Sequence, residues 1–68
     1  MNQFGEKIRE LREQNGLLQK HIASKLDIDT PMLSKIERGE RKAKREQIDI
    51  LAKALTIDKD ELLSLWLA

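Results

Sequence analysis

Apolar positions along this chain recur three and four residues apart, and no segment keeps the period-two alternation of a strand. The pattern is most informative from Gln19 to Gly39. There two short stripes, Ile22-Ala23-Leu26 and Leu33-Ile36, stand on either side of Asp27-Ile28-Asp29-Thr30-Pro31. That break reads as a turn former, a helix N-cap and a first-turn proline whose missing N–H is not needed. Two helices joined this tightly make a helix-turn-helix, whose second helix can lie in the DNA major groove.

The same reading covers the rest of the chain. Phe4, Ile8 and Leu11 predict a first helix from about Phe4 to Gln14, with Asn2 as its cap and Asn15-Gly16 as its stop. The second helix spans about Leu18 to Leu26, with Leu17 on its inward side, and Leu18 stands where Ser, Thr or Asp usually caps. That replacement costs about 1 kcal/mol. Asp27 ends the second helix, since Asp tolerates positive φ better than most residues. The third helix, about 29–38, is capped by Asp29 and stopped by Gly39. Ile48, Leu51, Ala52 and Leu55 place a fourth from Lys44 or Arg45 to Leu55. Asp58 with Glu61 three residues on reads as a capping box for a fifth that runs to Trp66. The expected fold is all-α, with five helices.

Length and composition narrow the possibilities. Sixty-eight residues suit one domain spanning 1–68, which buries only about 60% of the surface its unfolded chain exposes. The abrupt ending SLWLA is compatible with the N-terminal part of a longer protein. The absence of cysteine excludes disulfides, thiolate metal sites and thiol nucleophiles. With no long apolar run and no signal-peptide core in MNQFGEKIRE, the expectation is a soluble, unsecreted, cytoplasmic protein with no membrane role. The net charge of +1 is unevenly spread. Residues 34–47 carry six basic side chains against three acidic, whereas 48–68 carry two against four. Positive charge in and after the third helix is where a phosphate footprint belongs, although a solvated charged loop would look the same.

The motifs LREQNGLLQKHIASKLDI, DTPMLSKIERGER and IDILAKALTIDKDEL resemble the lambda-repressor-like helix-turn-helix family, of Cro, phage-repressor and xenobiotic-response-element type. The likeness runs from Ile8 to Leu62, with Leu11-Arg12, Gly16, Gln19, Ala23, Ser34, Glu37, Gly39 and Ala52 to Leu55 in register. It implies a five-helix DNA-binding domain that works as a homodimer on a partly palindromic duplex operator. Position by position, it implies base reading by Thr30, Pro31 and Lys35, with Met32 and Ser34 as neighbours. It implies phosphate contacts from Gln19, Arg38, Arg41, Lys42 and Lys44, plus free amides at the start of the fourth helix. Arg12 and Glu37 match a structural ion pair between the first and third helices. The departures are Leu18 for a Ser or Thr cap, Asp27 for a turn glycine, and Ala43-Lys44 for a proline and serine. Pro31 stands where many relatives carry glutamine.

Each of these residues also has a plainer role. Lys35 can donate to guanine or simply be solvated. Thr30 and Pro31 can touch a thymine methyl or serve only to cap. The lone His21 has no second ligand for a metal and is expected on an exposed face. No paired carboxylates, phosphate loop or nucleophile arrangement supports an enzyme, a cofactor or a small-molecule ligand. One Phe, one Trp and no Tyr leave no stacking platform for single strands, which points to duplex DNA. Leu63, Trp66 and Leu67, with Ile50 off the inward stripe, are candidates for a dimer interface; alternatively Trp66 closes the core. The expected function is a bacterial or phage-encoded, nucleoid-associated transcriptional regulator, most simply a repressor. The alternative is an antitoxin or controller-type interaction module, or the DNA-binding part of a larger protein.

Overall fold

The computed structural model describes residues 3–68. In order come α1 (Gln3–Gln14), α2 (Gln19–Leu26), α3 (Thr30–Arg38), α4 (Arg45–Leu55) and α5 (Lys59–Leu67), with no strand among the described residues. The all-α expectation and its helix boundaries therefore match to within a residue or two. The cap expected at Asn2 lies outside the described residues.

All five helices contribute to one core. Ile8 of α1, Ile22 of α2, Leu33 of α3, Ile48, Leu51 and Leu55 of α4, and Leu62 of α5 are fully buried. Each such side chain contributes about 1.5–3 kcal/mol of transfer free energy. Ala43, on the connector between α3 and α4, is also buried, although it sits in a run of charges. The indole Nε1 of Trp66 donates to the Ala43 carbonyl at 2.7 Å, and the Lys42 ammonium lies 4.6 Å from the indole ring centre. Of the three side chains considered for a dimer interface, Trp66 is thus directed onto the chain's own connector. Leu63 is half-buried against the core, and Leu67 is exposed.

The helices α1 to α4 all end by the same device. A residue follows each helix in the left-handed region, and two amides return to the last turn. Gly16 and Gly39 fill that position in α1 and α3, at φ 67° and 80°. Asp27 and Thr56 fill it in α2 and α4, at φ 59° and 58°. For Asp27 this was expected; for Thr56, a β-branched residue, nothing in its type announces it. Asn15 adds a tie between helices, its Nδ2 donating to Leu11 O at 2.7 Å and to Leu55 O at 3.2 Å.

The helix starts differ from one another. Asp29 accepts from the Met32 amide at 2.8 Å, the N-cap bond read from sequence. Leu18 and Lys44 have no side-chain acceptor to offer, and the residue three positions on reaches back in each case. His21 Nδ1 accepts from the Leu18 amide at 3.1 Å, and Gln47 Oε1 accepts from the Lys44 amide at 2.9 Å. This half of a capping box is the compensation that Leu18 lacked on paper. The box expected at Asp58 and Glu61 does not form: Asp58 precedes α5, but its side chain makes no cap hydrogen bond.

Candidate nucleic-acid interface

Residue spacing on α3 sorts its side chains into two faces. Leu33, Ile36 and Glu37 are buried and hold the helix to the body, whereas Thr30, Pro31, Lys35 and Arg38 are exposed. Pro31, Ser34, Lys35 and Arg38 recur three and four apart along the outer face, with Thr30 at its edge. Met32 falls between the faces. It packs against the core and, with Ile28 and Ile36, lines a hollow of about 170 Å³ bordered by the connector. Met32 therefore sits at the border between the core and the exposed candidates with which it was grouped.

A polar network fixes the height of α3 above the body. Arg12 Nε donates to Glu37 Oε2 at 2.8 Å and Arg12 Nη2 to Glu37 Oε1 at 3.3 Å, a fork-to-fork pair that is almost wholly buried. The remaining Arg12 nitrogen, Nη1, donates to Leu17 O at 3.0 Å, which ties in the turn before α2. Gln19 Nε2 also donates to Glu37 Oε1, at 3.0 Å. One amide proton of Gln19 is thus committed to Glu37 and the second remains for another acceptor. Among the described residues no buried side-chain polar atom lacks a partner. The last turns of α1 and α3 and the first turn of α2 do not merely touch; their relative placement is set by hydrogen bonds whose loss would leave a charge buried.

Arg9, Gln19, Ser34 and Arg38 line a polar hollow of about 290 Å³ above this network. Arg9 lies off the apolar stripe of α1, and only the folded chain brings it beside α2 and α3.

The cations after α3 are not equivalent. Arg38 Nε and Nη2 donate to the two carboxylate oxygens of Glu40 at 2.9 and 3.2 Å, and Arg38 Nη1 donates to Ser34 Oγ at 2.6 Å. These hydrogen bonds, and then the charge of Arg38, hold the Glu40 carboxyl below its ordinary range; Lys35 acts in the same sense. Arg38 is correspondingly held above its ordinary value. Arg38 and Ser34, assigned from sequence to phosphate and bases, are therefore both engaged within the protein. Arg45 pairs with Asp49 at 3.7 Å. Lys35, Arg41, Lys42 and Lys44 form no ion pair among the described residues. At the start of α4, the Lys44 amide is held by Gln47 and the Gln47 amide by Lys44 O, which leaves the amides of Arg45 and Glu46 as first-turn donors.

Away from this face, Ile50 is 39% exposed beside a hollow of about 500 Å³ shared with Ala52 and Ile57 and rimmed by Asp49, Lys53 and Lys59. Among the described residues no group of three or more His, Cys, Asp or Glu could hold a metal ion, and no helix is long and apolar enough to cross a membrane.

Comparison with known proteins agrees with this geometry. Residues 8–62 match the model of a helix-turn-helix family. The chain is similar to the HTH-type transcriptional regulator DdrOP3 of Deinococcus deserti, at 40% identity over 58 residues, covering 85% of this chain and 45% of the regulator. It is also similar to Control protein C.BamHI of Bacillus amyloliquefaciens, at 33% identity over 61 residues, covering 88% of this chain and 75% of that protein. The chain thus spans less than half of the length of the Deinococcus regulator.

Proposed function

Since the chain belongs to the Cro/C1-type helix-turn-helix family of DNA-binding transcriptional regulators, we propose that it is a sequence-specific repressor that reads duplex DNA with α3. The division of α3 carries this reading: Leu33, Ile36 and Glu37 are buried, while Thr30, Pro31 and Lys35 stand exposed on its other side. Lys35 is the side chain best suited to a base edge, because it forms no ion pair among the described residues. A lysine there donates to guanine O6 and N7. Pro31 cannot donate, so it offers an apolar contact suited to a thymine methyl. Thr30 brings a hydroxyl and a methyl to the same edge.

Backbone contacts fall to Gln19 through its second amide proton, to Arg41, Lys42 and Lys44, and to the amides that open α4. Residues 1–68 act as one DNA-binding domain, without catalysis and in the cytoplasm of a bacterium. Two copies form a homodimer through α5, with Leu63 and Leu67 as contacts; the 67% exposure of Leu67 supports that choice. The dimer sets two copies of α3 about 34–36 Å apart in successive major grooves of a partly palindromic site.

The similarity to a control protein, most of whose length is covered, favours a second reading. In it the domain is a controller or antitoxin-type partner whose DNA binding is autoregulatory. Selection of bound sequences from random duplex DNA, with light scattering of the complex, tests the leading proposal. A half-symmetric consensus bound by two chains supports it; recovery of no consensus overturns it.

A further inference from the structure

The one carboxylate on the exposed ground between α3 and α4 is Glu40, since Glu37 is buried with Arg12 and Glu46 lies inside α4. Glu40 does not reach Arg38 by chance of rotamer alone. The left-handed turn at Gly39 folds the backbone back, and the Glu40 amide is anchored to Lys35 O at 2.9 Å. Two side chains separated by one residue are thereby placed side by side, at the end of the proposed reading helix.

The contact has the form of anion recognition. Nε and Nη2 of Arg38 meet the two oxygens of Glu40, the same paired-donor, paired-acceptor arrangement by which a guanidinium takes a phosphate. Ser34 Oγ accepts a hydrogen bond from the third nitrogen, Nη1, and fixes the plane of the fork. Both partners are about half exposed, at 54% and 56%. Exposed pairs of this kind add little to stability, so the fold does not require the contact.

We propose that Glu40 is an intramolecular stand-in for a DNA phosphate, which occupies Arg38 in the free protein and must be displaced before Arg38 can hold the duplex backbone. The inference rests on the DNA-binding reading above and adds a residue that limits binding. Displacement leaves Glu40 as an unpaired anion within the field of the phosphates. The penalty is the same for every sequence, because the exchange is of a carboxylate for a phosphate and involves no base. Glu40 thus sets the strength and the salt dependence of backbone binding without altering base preference. It keeps the domain from lingering on arbitrary DNA, which is bound through the backbone alone.

The test compares the parent, Glu40→Gln, Arg38→Ala and the double variant on a random-sequence duplex and on the selected operator, over a series of salt concentrations. Glu40→Gln is expected to bind both duplexes about 3- to 10-fold more tightly near 0.1 M salt, with unchanged preference between them. Its plot of log K against log salt should be steeper, by up to about 0.9, because no unpaired carboxylate then offsets the charge of Arg38 among the phosphates. Arg38→Ala should weaken the Glu40→Gln protein by more than it weakens the parent. Glu40→Gln binding that is weaker than the parent's, or equal to it with the same salt slope, overturns the proposal, since Glu40 would then order Arg38 rather than compete for it. A parent that binds neither duplex at low salt overturns the DNA-binding reading itself and this inference with it.

Discussion

Replacing Glu37 with alanine removes the acceptor on which three donors from α1 and α2 converge. The Arg12 fork loses both of its carboxylate bonds, of 2.8 and 3.3 Å, and Gln19 loses its own of 3.0 Å. What remains is a guanidinium whose side chain is 11% exposed, still bonded to Leu17 O but with no counter-charge. Removing one partner of a buried pair costs about 3–5 kcal/mol. The lower end applies here, because Arg12 keeps one hydrogen bond and a path to solvent. About 3 kcal/mol in a domain of this size corresponds to a fall of roughly 12–24 °C in Tm. A single small core rarely supplies more than about 3–5 kcal/mol in total, so the variant should be substantially unfolded at 37 °C. Urea titration followed by circular dichroism measures the difference. Replacing both partners with apolar residues, as in Arg12→Met with Glu37→Leu, should recover most of the loss, since no charge is then left buried. A Glu37→Ala protein within about 1 kcal/mol of the parent would refute the reasoning, because the pair would then be an ordinary surface contact.

Other consequences can be measured on the same material. Trp66→Phe deletes the 2.7 Å bond to Ala43 O and weakens the ring beneath Lys42; a loss of about 1–2 kcal/mol in urea titration is expected. Thr56→Gly relieves a β-branched residue at φ 58°, and a gain of about 0.5–1 kcal/mol should appear as a higher urea midpoint. The depressed pKa of Glu40 means that its pair with Arg38 contributes in full above the unfolded carboxylate value. That contribution disappears as the pH falls through the lower folded value. Side-chain NMR of Glu40 should therefore show a midpoint below the ordinary glutamate value and an upward shift of that midpoint in Arg38→Ala.

Some of this architecture was readable from residue order alone. Gly16, Gly39 and the Asp29-to-Pro31 start of α3 are local signals, decided by backbone chemistry at the position itself, and the helix boundaries followed from them. The caps of α2 and α4 were not readable. They come from His21 and Gln47, three residues inside the helix, and a leucine or lysine at the cap position hides the pattern. Asp58 and Glu61 present the reverse case, a pattern whose side-chain bond does not form. Ala43 looked like part of a charged connector because the indole that covers it comes from residue 66, far along the chain. The site shows the same division. The periodicity of α3 separates buried from exposed positions correctly for Leu33, Ile36, Pro31 and Lys35. It cannot say that Arg38 is already taken by Glu40, because charge counting is blind to a pairing that depends on the turn at Gly39. Nor can it separate Met32 from its neighbours, since that position lies at the border of the two faces.

The most direct test of the central claim is selection of bound sequences from random duplex DNA by the parent, Lys35→Ala and Arg41→Ala. If α3 reads bases through its exposed face while the connector holds phosphates, Lys35→Ala loses preference at one position in each half-site, at a cost of about 1–3 kcal/mol. Arg41→Ala then returns the parent's consensus with weaker binding throughout. An unchanged consensus for Lys35→Ala, or a consensus altered by Arg41→Ala, would contradict it.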